Sequence, residues 1–231
     1  MKFSNRSKID SFIVMDVMEQ ARNEELKGRD IIHMEVGQPG TPAPSGAIRE
    51  LTKKMNSEPL GYTVALGIPE LRKKISSLYK EWYGLDINPD RVIITSGSSG
   101  AFILAFTALF DTSDKVGIGA PGYPSYKQIL RALDIEPVII ETNIENKFQI
   151  SPNSINNQEL NGILVASPAN PTGSMLDSNQ LTQLIKKCHD NSISFISDEI
   201  YHGIEYQKKA VSALEITDDC YVINSFSKYF S

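Results

Sequence analysis

The sequence predicts an α/β fold, in which helices cover a doubly wound, mainly parallel sheet. Three observations favour this class. Short apolar segments of strand length alternate along the chain with longer segments of helical periodicity, as in repeated strand–helix–strand units. Segment 162–167 is apolar over nearly its whole length, as expected for a parallel strand buried on both faces. Polar residues follow several of the strands, at the carboxyl-terminal edge where open α/β sheets bind ligands.

Composition and charge disfavour several other classes of protein. The 231 residues carry a formal net charge of −5 without a basic cluster, which disfavours nucleic acid or an anionic membrane as the main partner. No apolar run approaches the length of a membrane span. Cys188 and Cys220 are too few for a disulfide framework and lack zinc-ligand spacing, and neither His33 nor His202 lies in a metal-ligand pattern. We therefore expect a cytoplasmic protein with no metal, nucleic-acid or membrane partner.

The N-terminal part combines helical periodicity with proline and glycine signals. Gly28 and Gly84 each follow an amphipathic segment and predict its end in a left-handed conformation. Pro69 suits the first turn of a helix. The predicted elements are a helix over 9–27, a strand over 31–36, a loop over 37–44, and helices over 45–55 and 69–82.

A serine-rich turn between a strand and a helix predicts an anion site. Residues 91–95 have the composition of a strand, and an apolar helix is predicted over 101–110. The intervening loop, 96–100, contains Ser98 and Ser99. Free amides at a helix N-terminus, the helix dipole and serine hydroxyls stabilise a phosphate without a basic side chain. A loop that only caps the helix is the alternative, and the patterns of a Walker A loop and of a dinucleotide fold are absent.

Three later strands lead to candidate binding residues. Tyr123 lies in a turn between two prolines, and Pro171 restricts Asn170 to an extended conformation beyond its strand. Asp198 ends an apolar strand, where a carboxylate is costly unless it has a partner. Turn packing or helix capping is the common structural role of such residues. Strands are predicted over 115–119, 137–141, 162–167, 193–197 and 221–223, with helices over 126–133 and 177–189.

Lys228 follows the last predicted strand, between small hydroxyl residues and aromatic residues. A lysine near the end of a buried strand can act as a neutral, nucleophilic amine, as a Schiff-base lysine does. Most lysines with a serine three positions earlier are solvated surface charges, so the interpretation depends on the other segments.

The segment 225–228, Ser-Phe-Ser-Lys, resembles the lysine motif of the class I/II aminotransferases, which are pyridoxal-5'-phosphate (PLP) enzymes of fold type I. Segments 95–101, 166–173 and 197–201 match that family in the same order. The resemblance implies an N-terminal arm with part of a small domain over 1–44. It implies a PLP-binding large domain over 45–231 that is incomplete at its C-terminus. Because family members continue well beyond the lysine, we expect a fragment that is inactive alone.

The same resemblance implies a role for each candidate residue. Lys228 would hold PLP as a Schiff base, and Asp198 would pair with the ring nitrogen. The remaining implied contacts are with the phenolic oxygen (Asn170, Tyr201), the ring face (Tyr123), the cofactor and its phosphate (Ser98, Ser99, Ser225), the phosphate of the neighbouring subunit (Tyr62) and the substrate carboxylate (Gly37). By composition alone, the loop that contains Gly37 is as typical of a linker as of a binding loop, and an aromatic residue beside a glycine, such as Tyr62, usually has a packing role.

Taken together, these residues predict a PLP-dependent transaminase that moves an amino group from an amino acid to a 2-oxo acid. The resemblance also implies a homodimer for the full-length protein. Two alternatives remain open. A PLP lyase or synthase could use the same scaffold, because all these residues bind cofactor and none selects the reaction. The chain could also be a non-catalytic PLP-binding fragment.

Overall fold

A computed structural model describes residues 1–156 and 158–231 and contains a five-stranded sheet. The strands are β1 (Lys115–Ala120), β2 (Glu136–Glu141), β3 (Gly162–Ala166), β4 (Ser194–Asp198) and β5 (Tyr221–Ile223). Their order is β2-β1-β3-β4-β5, and each neighbouring pair is parallel. The winding direction reverses between β1 and β3, which confirms the predicted doubly wound α/β class.

The helices of the described chain agree closely with the sequence periodicity. Asp177 and Gln180 cap the last of them reciprocally, each side chain accepting from the other residue's backbone amide. Gly84, at φ 74°, ends the third helix in the left-handed conformation that was predicted. The α-helices are α1 (Ile13–Glu25), α2 (Ser45–Ser57), α3 (Pro69–Tyr83), α4 (Gly97–Leu109), α5 (Pro124–Ala132) and α6 (Ser178–Asp190).

The sheet has an apolar core on each face because successive side chains of a strand point in opposite directions. Ile163 and Val165 of β3 belong to the core cluster that contains the buried face of α6. Leu164, between them, belongs to the cluster that contains the buried faces of α4 and α5. All three side chains are at most 3% exposed. Burial on both faces explains why this strand is apolar along nearly its whole length.

Two predicted strands, over 31–36 and 91–95, are wrong. Neither segment joins the sheet or another ladder among the described residues. Ile32 and Met34 are more than 80% exposed. In the second segment, the Ile94 amide donates to the Leu66 carbonyl and the Val92 carbonyl accepts from the Arg72 side chain, while the first two amides donate within the preceding turn. Apolar composition alone does not make a strand, because a strand needs a neighbour that accepts and donates its backbone hydrogen bonds.

Two helices begin four residues away from their predicted starts, and α5 begins at Pro124, two residues before its predicted start. α1 begins at Ile13 rather than at residue 9, because Phe12 has an extended backbone. α4 begins at Gly97, four residues before the predicted start. Ser98 and Ser99 therefore lie in the first turn of a helix and not in a loop before it.

The N-terminal helices α1 and α2 pack less than the rest of the described chain. No residue of either helix is buried, and apolar side chains such as Ile13, Leu51 and Met55 are at least 55% exposed. Among the described residues, no helix is both long enough and apolar enough to cross a membrane.

Candidate functional site

The candidate site lies at the carboxyl-terminal edge of the sheet, where the winding direction reverses. β1 leads into the turn that contains Tyr123, and β3 leads into the loop that contains Asn170. β4 ends at Asp198, and β5 leads to Lys228. Because all these strands are parallel, their carboxyl ends meet at one edge, and a crevice at the reversal point is the usual ligand site of such sheets.

Asp198 is the buried acid of this site, with 1% of its surface exposed. Its Oδ2 accepts a short hydrogen bond from the Tyr126 hydroxyl, and its Oδ1 accepts from the Ile200 amide at 3.2 Å. Burial raises the pKa of Asp198 to about 6, while these two donors and the nearby Lys228 charge act to lower it. Residues 200–203 form turns and no helix begins there, so Asp198 does not cap a helix.

Asn170 and Tyr201 meet beside this carboxylate. The Asn170 Nδ2 donates to the Tyr201 phenolic oxygen at 3.2 Å, and both side chains are half-buried. Burial is the main cause that raises the pKa of Tyr201, so its hydroxyl keeps its proton and remains a donor. The predicted proximity of these two residues is therefore present, although 31 positions separate them in sequence.

The amine of Lys228 points back into the site. Its Nζ donates to the Gly37 carbonyl at 3.0 Å and lies 5.7 Å from the centre of the Tyr201 ring. The neighbouring Tyr229 ring packs edge-on against Trp82, with 5.1 Å between ring centres, and anchors the turn that carries the lysine. The Lys228–Gly37 contact joins the N-terminal loop to the C-terminal turn of the described chain.

The first turn of α4 has the features of an anion site. Its N-cap residue, Ser96, makes no capping hydrogen bond through its side chain, and the turn contains no acidic residue. Ser98 is half-buried and Ser99 is exposed. α4 packs against β5, the strand that leads to Lys228. Free amides and serine hydroxyls at a helix N-terminus are the donors that a phosphate needs.

The other predicted residues differ in how closely they join the site. Tyr123 is half-buried, and its ring lies edge-on to Phe12 at 5.8 Å and to Tyr126 at 5.4 Å between centres. The Ser225 hydroxyl lies 2.7 Å from that of Ser227 and accepts from its amide. Tyr62 is fully exposed, so the described chain does not bring it into the site.

Sequence reasoning missed three residues around this site. Tyr126 was treated only as the first residue of a helix, yet it contacts the Asp198 carboxylate directly. No local signal marked this contact, because Tyr123, three residues earlier, precedes the helix with an extended backbone and 72 positions separate Tyr126 from Asp198. Glu199 and His202 are each 1% exposed and carry buried polar contacts beside the site. In the described residues, no cluster of three or more histidine, cysteine, aspartate or glutamate side chains could hold a metal.

Comparison with known proteins gives relatives that match nearly the whole chain. Valine–pyruvate aminotransferase of Mycobacterium tuberculosis is 39% identical over 230 residues, which are 98% of this chain and 59% of that protein. The (5-formylfuran-3-yl)methyl phosphate transaminase of Methanocaldococcus jannaschii is 36% identical over 225 residues, which are 96% of this chain and 58% of that protein. A crystal structure from Silicibacter pomeroyi superposes with a TM-score of 0.92 at 60% identity.

The extent of these matches defines the family. The Silicibacter match covers 100% of this chain and 60% of that one, so the chain spans about three fifths of the length of these relatives. The family model described as aminotransferase class I and II matches residues 29–231, which include each candidate residue named above. The chain belongs to the aminotransferase class I and II family.

Proposed function

We propose that the full-length protein is a PLP-dependent aminotransferase that moves an amino group from an amino acid to a 2-oxo acid. The two curated relatives above are named for different substrates but share amino-group transfer, so the proposal concerns the reaction and not one substrate. The observation that carries it is the meeting of Lys228, Asp198 and the Asn170–Tyr201 pair at one edge of the sheet. Members of this family use pyridoxal phosphate.

The residues at this edge fit that cofactor. The Asp198 carboxylate is buried, and within the described parts of the chain its hydrogen-bond donors are both neutral, the Tyr126 hydroxyl and the Ile200 amide. A protonated pyridine nitrogen placed against it would supply the positive charge that offsets the cost of burial. When bound, PLP supplies an electron sink for the negative charge left on the α-carbon of an amino acid. Asp198 favours that role by keeping the proton on the ring nitrogen.

Lys228 is the reactive residue in this proposal. Its amine would be the nucleophile that holds the cofactor covalently. As a free amine, Nζ is also the base that takes the proton from the α-carbon. The contact with the Gly37 carbonyl supports a role for the Gly37 loop at the substrate carboxylate, because it shows that the loop reaches the lysine.

The remaining residues would orient the cofactor. The Asn170 amide and the Tyr201 hydroxyl, which lie 3.2 Å apart, would donate to its phenolic oxygen, and the Tyr123 ring would pack on its face. The first turn of α4 would bind the phosphate through backbone amides and hydroxyls. The phosphate and cofactor contacts assigned in this way are those of Ser98, Ser99 and Ser225.

We also infer the domain arrangement, the partner and the compartment. Residues 45–231 would form the PLP-binding large domain, and residues 1–44 an arm with part of a small domain. The full exposure of Tyr62 supports a homodimer in which this side chain contacts the phosphate bound by the other subunit. The free thiols of Cys188 and Cys220 support a reducing compartment such as the cytoplasm.

The test uses the full-length protein with added PLP. Borohydride reduction and peptide mapping are expected to place the pyridoxyl group on Lys228, and Lys228→Ala is expected to lose both the label and turnover. A panel of amino acids with pyruvate or 2-oxoglutarate should give 2-oxo acid without ammonia. Release of ammonia would indicate a lyase, and recovery of the label on another lysine would overturn the assignment of Lys228.

A further inference from the structure

Two consecutive residues, Tyr201 and His202, hold opposite ends of the segment that presents Asn170. The Tyr201 hydroxyl accepts from the Asn170 amide at 3.2 Å. On the other side, the His202 Nε2 lies 2.8 Å from the Ser167 carbonyl oxygen. A single turn after β4 therefore contacts both residue 167 and residue 170 through adjacent side chains.

The hydrogen-bond roles of the His202 ring follow from its neighbours. A carbonyl oxygen only accepts, so Nε2 must carry a proton and donate to Ser167. Burial lowers the pKa of His202, and the neutral ring then has a free lone pair on Nδ1. That lone pair accepts from the Tyr83 hydroxyl at 2.6 Å. The ring is 1% exposed. Tyr83, at the end of α3, holds one ring nitrogen, and Ser167, just after β3, holds the other.

The segment held in this way has a defined shape of its own. The Ala169 amide donates to the Ser174 carbonyl, and the Gly173 amide donates to the Ala169 carbonyl. These bonds close the loop on itself, but they do not set its position relative to β4. That position depends on contacts at the Ser167 end, where the Ser167 amide donates to the Asp198 carbonyl of β4 at 3.3 Å and the buried His202 side chain, from the turn after β4, holds the Ser167 carbonyl.

We propose that His202 is a positioning residue for the cofactor, and this inference rests on the proposed function. By holding the Ser167 carbonyl, it sets the distance between the Asn170 amide and the Tyr201 hydroxyl. It thereby aims both donors at the phenolic oxygen of bound PLP. Loss of the Nε2–H donor lets the loop after β3 move away from the turn after β4. The hydrogen bonds from Asn170 and from Tyr201 to the phenolic oxygen would then weaken, although both donors are still present.

The experiment measures the pH titration of the visible absorption band of full-length protein loaded with PLP. Donors directed at the phenolic oxygen favour its ionised form, so His202→Leu is expected to raise the titration midpoint by about 0.5 pH unit or more. His202→Gln keeps an N–H near the position of Nε2 and should restore the wild-type midpoint. If His202→Leu does not fold, Tyr83→Phe is measured in its place, because it removes the hydroxyl that holds His202 Nδ1. A smaller upward shift of the titration midpoint is then expected.

Ser212→Ala is the matched control. Ser212 is fully buried and donates to Glu199 Oε1 at 3.1 Å, while Glu199 Oε2 lies 3.6 Å from His202 Nδ1. Loss of the Ser212 hydroxyl therefore weakens the same region but leaves both hydrogen bonds of the His202 ring in place. Its thermal midpoint should fall while the titration midpoint stays unchanged. Equal shifts in His202→Leu and Ser212→Ala, or no shift in folded His202→Leu or in Tyr83→Phe, would overturn the inference. Absence of the band in the wild-type protein would instead contradict the proposed function.

Discussion

Asp198 and Glu199 are consecutive buried carboxylates that face different surroundings. Asp198 lies at the site, where its position suits a positively charged ring nitrogen. Glu199 points away from it, and its Oε1 accepts from the Ser197 hydroxyl, the Ser212 hydroxyl and the Ala213 amide. Of these two adjacent residues, Asp198 is suited to binding, whereas Glu199 connects β4 to the segment around residue 213.

Asp198→Asn is expected to reduce the rate of proton removal from the amino acid by about 10²–10³-fold, because a neutral amide cannot stabilise the charge on the ring nitrogen. The fold should survive, since the amide oxygen still accepts from the Tyr126 hydroxyl. Stopped-flow measurement of the half-reaction tests the rate, and thermal unfolding tests stability. Asp86→Asn, at an exposed ion pair with Lys80, is the control and should behave as wild type. A normal rate in Asp198→Asn would assign that residue a purely structural role.

Glu199→Gln is expected to stabilise the protein at alkaline pH and to have little effect at acid pH. Burial raises the pKa of Glu199 from 4.5 to about 7. Between these values the folded protein holds a proton that the unfolded chain releases, so this group's contribution to stability falls as pH rises through about 7. The substitution removes the buried negative charge. The glutamine side-chain oxygen can still accept the hydrogen bonds that Oε1 accepts in the wild-type protein.

Urea denaturation should show a gain of about 1–3 kcal/mol for Glu199→Gln near pH 8 and almost none near pH 5. The control is Glu145→Gln, at an exposed residue, which should leave the free energy of unfolding unchanged at both pH values. A loss of stability at both pH values would mean that the ionised carboxylate is an essential acceptor in the fold.

At the scale of elements, β3 and α4 approach each other at a glycine. A Cβ added to Gly162 would lie 2.1 Å from the Phe110 ring, which follows the last turn of α4. A Cβ added to Gly117, in the neighbouring strand β1, would meet only the terminal methyl groups of Ile140 and Leu160 at 2.9 and 3.0 Å. The aromatic ring is rigid and buried, whereas the aliphatic side chains can change rotamer.

Gly162→Ala is therefore expected to destabilise the protein by about 2–3 kcal/mol, and Gly117→Ala by less than about 1.5 kcal/mol. Thermal or urea unfolding of the two variants, side by side, measures the difference. The reverse order would mean that Phe110 moves more easily than the aliphatic contacts of Gly117. Gly61→Ala, where a Cβ meets nothing within 4 Å, is the control for the substitution itself.

At the scale of the whole molecule, a homodimer with shared sites predicts rescue between subunits. In a heterodimer of Tyr62→Phe and Lys228→Ala chains, one site would carry both changes and the other neither. Mixing should then give about half of the wild-type activity per heterodimer, because one of its two equivalent sites is intact. If Tyr62 served its own chain, mixing would give at most half of the activity of the Tyr62→Phe dimer. Differently tagged subunits allow the heterodimer to be purified.

Residues 1–231 expressed alone are expected not to transaminate. α1 and α2 expose apolar side chains along their whole length, and the matched relatives are longer than this chain. Uncovered apolar surface promotes association, and a site that lacks its supporting contacts loses the tolerance of about 0.5 Å that catalysis needs. An assay of purified residues 1–231 with PLP, an amino-acid panel and a Lys228→Ala control measures this. Turnover that depends on Lys228 would contradict it.

Much of the fold and part of the site could be predicted from the sequence because the signals are local. The apolar run of β3 indicates burial on both faces, and the three residues of β5 match the predicted strand. Asp198 and Asn170 follow strands of a parallel sheet, and such strands bring their carboxyl ends to one edge whatever lies between them. Backbone geometry and hydrophobic burial are sufficient for those conclusions.

Tertiary structure alone decided the contacts between residues that are distant in the chain. Nothing in the sequence pairs Tyr126 with Asp198, 72 residues later, or Lys228 with Gly37, 191 residues earlier. The segment 31–36 has the composition of a strand but does not form one, because a strand exists only where another strand accepts its hydrogen bonds. Composition and periodicity act within a few residues, whereas hydrogen-bond partners and buried charges depend on which segments the completed fold brings together.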